Sequence, residues 1–174
     1  MMSRERITKN LKRLGEKLEE RGLTGELILA GGASMCLVHS ARDMTKDVDA
    51  LYEPKSDIDD IVREIAEEND LPPDWLNDSV KGFVTDKVQT MEFARFGALQ
   101  VSTVTPRYLL AMKLMSARIT GQDYNDIAYL FRELKITSAE DAQAIVEEYY
   151  PMNMILPKTQ YVIEQVLEEL QQDR

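Results

Sequence analysis

The sequence has almost none of the residues that build disulfides and zinc sites. Its 174 residues contain one cysteine, Cys36, and one histidine, His39. A single cysteine excludes a disulfide framework within the chain. Cys36 also has no second cysteine or histidine at a spacing typical of metal ligands. We therefore expect Cys36 to be a small packing residue.

Long hydrophobic runs are missing as well. No apolar stretch is long enough to span a bilayer, and the mixed charges of residues 1–5 do not resemble the start of a signal peptide. These absences predict a cytoplasmic protein with no membrane partner.

Positive charge is also in short supply, with 21 Lys and Arg residues against 31 Asp and Glu and a net charge of −10. Nucleic acids and membrane surfaces bind to positive surfaces, so this balance argues against general binding to either. It does not exclude a small anionic ligand held by a few placed cations or by a metal ion. Residues 4–21 nevertheless carry a surplus of three positive charges, and residues 136–174 a deficit of six. These regions are either solvated helix faces or surfaces for different partners, including each other in a dimer.

Hydrophobic residues make up 44% of the chain, which is enough for a core. Their spacing in the first part predicts helices over 4–20, 33–40 and 57–69, and strands over 26–30 and 47–52. Ser56 with Asp59 is the predicted cap of the third helix. A short helix is expected from residue 72, and a hairpin at Gly97 joins strands around 89–93 and 99–104.

From Thr105 onward the pattern is helical. The predicted helices cover 106–118, 122–134, 138–150 and 158–172, with a Thr105-Pro106 cap on the first and a Thr137–Glu140 capping box on the third. We expect an α/β (α+β) fold with an α/β core over 1–104. A helical part over 105–174 follows without a linker, as one compact unit.

A glycine pair follows the first predicted internal strand. Gly31 and Gly32 let the backbone approach a ligand closely, and the helix that follows offers amide groups to a phosphate. Ser34 adds a hydroxyl donor. An ordinary strand-to-helix turn has the same composition, so both interpretations stay open here.

Two aspartates lie on the next predicted strand. Asp47 and Asp49 are two residues apart, so their carboxylates point to the same side of the strand. Oxygen ligands of this kind suit Mg²⁺. Acidic pairs arise often by chance in a chain this acidic, so the pair alone is weak evidence. Its position on the strand that follows the glycine pair favours a metal site.

Charged residues also lie on the apolar faces of two predicted helices in the second half. Lys113 has Leu109, Leu110 and Ala117 as neighbours one turn away. It either extends past the core to solvent or reaches a buried anion. Asp123 and Asp126 continue the apolar stripe of the next helix to its start, where capping explains one of them better than both.

These motifs together resemble a known family. The segments 31–34 (GGAS) and 47–49 (DVD) resemble the signature of the minimal, polymerase-beta-like nucleotidyltransferase fold. The segments 110–114 (LAMKL) and 123–127 (DYNDI) are similar to the second half of the signature in AbiEii-type toxin–antitoxin nucleotidyltransferases. Residues 71–78 (LPPDWLND) are similar to a stretch found in an uncharacterised bacterial branch of that group. The likeness covers about residues 24–135.

The resemblance implies a mixed sheet flanked by helices, with a C-terminal helical bundle. It implies that Asp47 and Asp49 hold Mg²⁺, that Gly31, Gly32 and Ser34 lie at the triphosphate of an NTP, and that Lys113 contacts phosphates. Asp126, or else Asp123, would complete the pocket. Many members carry a third carboxylate on a later strand, but residues 99–103 (LQVST) contain no acid.

Two kinds of function follow from this set. The first is a Mg²⁺-dependent transfer of a nucleotide from an NTP to a protein or RNA hydroxyl, within a toxin–antitoxin system. The second is a nucleotide-binding or protein-interaction module with little or no catalysis, which the missing third carboxylate favours. A homodimer or a complex with a partner protein is compatible with either.

Overall fold

The computed structural model describes residues 1–116 and 121–172. These residues form seven α-helices, a five-stranded mixed sheet and a two-stranded sheet, which confirms the predicted α/β (α+β) fold. The helices are α1 Arg4–Glu20, α2 Gly31–Leu37, α3 Lys55–Asn69, α4 Pro106–Ser116, α5 Gln122–Leu134, α6 Ala139–Tyr149 and α7 Pro157–Gln172. The strands are β1 Met2–Ser3, β2 Gly25–Leu29, β3 Met44–Thr45, β4 Val48–Glu53, β5 Leu76–Asn77, β6 Thr90–Phe96 and β7 Leu99–Val104. Among the described helices, none has the length and apolar character needed to cross a membrane.

The chain forms two compact units. The first contains Met1–Gly82 and Thr90–Val104, and the second contains Phe83–Gln89 and Thr105–Arg174. In the first unit the strand order of the large sheet is β5-β4-β2-β7-β6. Strand β2 is antiparallel to β4 and parallel to β7, which continues from β6 through the predicted hairpin. The core lies on one face of this sheet, where alternate strand residues pack against α1 and α3.

The second unit is helical, and a short connecting segment is attached to it. The rings of Tyr108 and Tyr149 meet edge to face with 4.9 Å between their centroids. The Tyr108 hydroxyl accepts a hydrogen bond from the Thr85 amide at 2.8 Å, and Lys87 Nζ donates to the Glu148 carbonyl at 2.9 Å. Residues 83–89 therefore belong with the helices rather than with the sheet.

Several local predictions were wrong. No helix begins at residue 72, because residues 71–75 form a turn that leads into β5. The N-cap of α3 is Pro54 without a side-chain cap, so Ser56 does not cap this helix. Ser138, not Thr137, caps α6 and accepts from the Asp141 amide. Residues 117 and 118, the end of the helix predicted over 106–118, lie outside the described residues.

Candidate functional site

Gly31 and Gly32 are the first two residues of α2, where the chain turns after β2, and this glycine turn lies directly against Asp49. Gly31 has a φ angle of +52°, a left-handed backbone conformation that residues with a side chain rarely adopt. A β-carbon placed on Gly31 would lie 2.6 Å from Oδ2 of Asp49. A β-carbon on Gly32 would lie 2.5 Å from Oγ1 of Thr45. The Ala30 amide donates to the Asp49 carbonyl at 3.0 Å, which holds the turn beside the strand. The glycines therefore permit a close approach between the turn and an acidic side chain.

Asp47 and Asp49 share one side of β4. Asp47 immediately precedes the strand rather than lying in it. Exposure alternates along the segment, with Val48 and Ala50 buried and both aspartates half-buried. This alternation directs the two carboxylates away from the core, as expected. Asp49 Oδ1 also accepts a hydrogen bond from Ser79 Oγ at 3.1 Å.

The chemistry of these oxygens fits a magnesium ion that is shared with a ligand. Within residues 1–116 and 121–172, no three His, Cys, Asp or Glu side chains are grouped to hold a metal ion. Mg²⁺ is commonly bound by one or two carboxylates together with water and substrate phosphates. Asp47 and Asp49 suit that arrangement, whereas an all-protein cage of acidic and histidine ligands is not present among the described residues.

The later strands offer no third carboxylate close to this pair. On β7, Gln100 and Ser102 lie on the half-exposed side of the strand. Glu92 on β6 pairs with Ser102 and so shares its side of the sheet. Strand β6 is separated from β4 by β2 and β7. At a strand spacing of about 4.8 Å, Glu92 is roughly 14 Å from β4, too far to share a metal ion with Asp49.

Ser34 lies in a different environment from the one expected. Its side chain is fully buried, and its Oγ lies 2.8 Å from Oγ1 of Thr103 on β7. Thr103 Oγ1 also lies 3.4 Å from the Leu29 carbonyl. The hydroxyl of Ser34 thus fastens α2 to the sheet, in contrast to the phosphate contact that we expected.

Arg42 is a site residue that the sequence did not single out. Its Nη2 lies 2.9 Å from the position that a β-carbon on Gly32 would take, so the guanidinium group lies against the glycine turn. Arg42 belongs to an irregular segment between α2 and β3, where no periodicity marks its direction. The sequence offered one indication of Arg42. Between Gly32 and Asp47, Arg42 and Lys46 are the two Lys or Arg residues, so either could supply positive charge to the site.

The charged residues of the second unit form a buried ion cluster. Lys113 Nζ lies 2.6 Å from Oδ1 of Asp123 and 2.8 Å from Oδ2 of Asp126. The side chains of Lys113 and Asp126 are 7% and 1% exposed, whereas that of Asp123 is 33% exposed. Lys113 therefore reaches a buried anion instead of extending to solvent. Asp123 does not cap α5, whose N-cap is Gly121.

The predicted residues thus form two groups, one in each unit. Gly31, Gly32, Asp47 and Asp49 belong to the first unit, and Lys113, Asp123 and Asp126 to the second. No curated protein and no solved structure matches the chain. A family model does match, over residues 7–154, and it describes a nucleotidyltransferase of unknown function (DUF6036). Because this match includes both groups and most of the chain, the protein belongs to the DUF6036 family of nucleotidyltransferases.

Proposed function

We propose that the protein is a Mg²⁺-dependent nucleotidyltransferase that moves a nucleotide from an NTP to a hydroxyl group of a protein or an RNA. The observation that carries this proposal is the glycine-only turn packed against the carboxylate of Asp49. A turn without side chains lets a ligand phosphate lie against its backbone amides, and here that backbone is beside a proposed metal ligand. Membership of a nucleotidyltransferase family supports the same reaction class.

The candidate site residues of the first unit have separate roles in this proposal. Asp47 and Asp49 hold Mg²⁺, and the backbone of Gly31 and Gly32 lies along the phosphates. The guanidinium of Arg42 supplies the positive charge at the turn, because an arginine fork matches phosphate oxygens. When bound, the metal ion neutralises phosphate charge and polarises the attacked phosphorus.

In the second unit, the resemblance favours Lys113 as a residue that contacts phosphates. It is already bound to two carboxylates, one of which, Asp126, is almost fully buried. Asp123 is the more exposed partner, so its contact is the one that Lys113 exchanges for a phosphate oxygen. Asp126 then keeps the ammonium group in place.

A protein hydroxyl is the favoured acceptor. Helix α1 carries the one basic stretch noted in the sequence, but much of its charge is already paired with carboxylates. Arg13 binds Glu16, Glu20 and Glu68, and Lys17 binds Glu64 and Glu68. The positive charge of these two residues is therefore already neutralised and contributes little to binding an RNA backbone. We further propose an AbiEii-like role in a bacterial toxin–antitoxin system, in the cytoplasm, with a partner protein or a second copy.

A nucleotide-binding module without catalysis is the second candidate. The absence of an acid from residues 99–104 favours it, because a third carboxylate is the usual base for the attacking hydroxyl in similar proteins. Asp47 and Asp49 would then bind a metal–nucleotide complex without transferring it.

Label transfer separates the two candidates. The protein is incubated with Mg²⁺ and each of the four α-labelled NTPs, alone and with a cell lysate. An enzyme labels a protein or RNA component, and Asp49→Asn abolishes that label whereas Glu92→Gln, which removes the same charge from a distant strand, does not. Metal-dependent binding without any label favours the module, and the absence of both contradicts the proposal.

A further inference from the structure

The segment 71–79, which contains the LPPDWLND stretch, is fixed beside the strand that carries Asp49. Trp75 is buried, and its indole Nε1 donates to a carbonyl of α3 at 3.1 Å. The Trp75 carbonyl accepts from the Val48 amide at 2.7 Å. Strand β5 then runs parallel to β4 and places Asn77 directly beside Asp49. A large apolar anchor thus docks this segment next to the predicted metal ligands.

An ion pair holds the same segment from its other side. Lys55, at the start of α3, lies 3.1 Å from Oδ2 of Asp78 and 3.2 Å from Oδ2 of Asp59. Asp78 lies between Asn77 and Ser79, so this half-exposed ion pair adds a contact between α3 and the segment.

Ser79 makes the contact that reaches the candidate site. Its Oγ lies 3.1 Å from Oδ1 of Asp49 and 2.5 Å from Oδ1 of Asn77. The Asn77 amide is oriented because its Nδ2 donates to the Asp74 carbonyl at 3.3 Å. The one hydrogen of the Ser79 hydroxyl lies between two acceptors, the nearer Oδ1 of Asn77 and Oδ1 of Asp49. Ser79 thus links Oδ1 of Asp49 to the oriented Asn77 amide, while Oδ2 of Asp49 lies at the Gly31 turn.

We propose that Ser79 is a positioning residue of the candidate site, which holds the Asp49 carboxylate with Oδ2 directed at the Gly31 turn. This inference rests on the proposed function, in which Asp49 is a metal ligand. A carboxylate whose rotation is already restricted loses less freedom when it binds a cation. Substituting a residue that orients a metal ligand by a hydrogen bond typically weakens metal affinity by about 10- to 100-fold. The exposure of Ser79 to solvent places its effect at the lower end.

The test measures the binding of Mn²⁺ alone to the full chain, by electron paramagnetic resonance, beside unfolding in urea. Ser79→Ala is expected to weaken Mn²⁺ binding about tenfold. Ser79→Thr keeps the hydroxyl and is expected to stay within about twofold of wild type. Ser56→Ala, an exposed serine at the start of α3, is the matched control and leaves the affinity unchanged. Equal urea midpoints exclude a general loss of structure.

Three results would overturn this inference, and they are distinguishable. Wild-type Mn²⁺ affinity in Ser79→Ala removes the positioning role, and so does an equal loss in Ser79→Ala and Ser79→Thr. If Asp49→Asn loses Mn²⁺ while Ser79→Ala retains it, the proposed metal site stands and only the role of Ser79 fails. If the wild-type protein binds no Mn²⁺, this inference fails, whereas the proposed function, in which the metal ion is shared with an NTP, is tested separately by label transfer.

Discussion

At residue 31 the chain needs a left-handed backbone and the absence of a side chain at once. Gly22 has a similar backbone, with φ of +68° against +52° at Gly31, but a β-carbon on Gly22 would meet nothing within 4 Å. The two glycines thus separate backbone strain from the contact with Asp49. Substitutions at Gly22 and Gly31 therefore measure separately the cost of backbone strain and the cost of a side chain beside Asp49.

We expect Gly22→Ala to lower the free energy of unfolding by about 1 kcal/mol, from backbone strain alone. Gly31→Ala adds a collision with the Asp49 carboxylate and is expected to cost about 1–3 kcal/mol more. Gly31→Ala also displaces a proposed metal ligand, so its Mn²⁺ affinity falls whereas that of Gly22→Ala does not. Urea unfolding and Mn²⁺ titration measure the two effects. Equal behaviour of the variants would contradict the close approach at Gly31.

Lys113 is the second residue whose neighbours decide its role. Lys113→Met leaves the carboxylate of Asp126, which is 1% exposed, without its cation. We expect a loss of about 3 kcal/mol in the free energy of unfolding, because removing one partner of a buried ion pair is costly. Lys113→Met combined with Asp126→Asn removes both charges and is expected to recover part of that loss. A double variant less stable than the sum of the two single losses would show that the pair is not buried together.

At the scale of elements, long periodic segments were predictable and short irregular ones were not. The bounds of α1 and α5 follow from apolar spacing over many residues, and the observed ends match the predicted 4–20 and 122–134. The segment after residue 71 was mispredicted because two prolines are equally compatible with a first helical turn or an open turn. In the structure, the burial of Trp75 favours the turn and pairs residues 76–77 with β4.

The candidate site divides in the same way. Local spacing predicts Asp47, Asp49 and the glycine pair, and strand alternation accounts for the direction of Asp49 on β4, whereas Asp47 lies just before the strand. Arg42 and Ser79 were missed because their contacts depend on tertiary folding. The contact of the Ser34 hydroxyl with Thr103 could not be predicted, because the direction of a side chain in the seven-residue helix α2 depends on its packing against β7.

Helices α1 and α3 are joined by an ion-pair network with a predictable pH dependence. Lys17 Nζ lies 2.9 Å from Glu64 and 2.7 Å from Glu68, and these hydrogen bonds hold the pKa values of both carboxyls below their ordinary 4.5. A lowered folded-state pKa stabilises the protein above the unfolded pKa, and this stabilisation is lost as pH falls through the folded value.

We therefore expect wild type to lose stability steeply below pH 4.5, and Lys17→Met to lose less over the same interval. Lys12→Met is the matched control, because Lys12 is exposed on the same helix and has no ion pair with residues that the structure describes. Urea unfolding between about pH 7 and about pH 3 checks this. Parallel curves for wild type and Lys17→Met would contradict a role for the network in joining α1 to α3.

At the scale of the whole molecule, the net charge of −10 bears on how the proposed nucleotide would bind. A negative protein repels an NTP at long range, so binding depends on the metal ion and on a few local cations such as Arg42. A basic surface that binds phosphates broadly would lose affinity steeply as salt rises. We expect metal-dependent NTP affinity to change less than about threefold between about 0.05 M and 0.3 M NaCl. A steep loss of affinity would indicate an extended cationic surface instead.

The central claim is that Asp49, packed against the glycine turn, binds a metal–nucleotide complex. Calorimetric titration of NTP into the full chain, with Mg²⁺ and with the metal chelated, tests it most directly. We expect binding only with Mg²⁺, its loss in Asp49→Asn, and its retention in Glu92→Gln, which removes an equal charge about 14 Å away. Binding that survives chelation, or that Asp49→Asn and Glu92→Gln weaken equally, would contradict it.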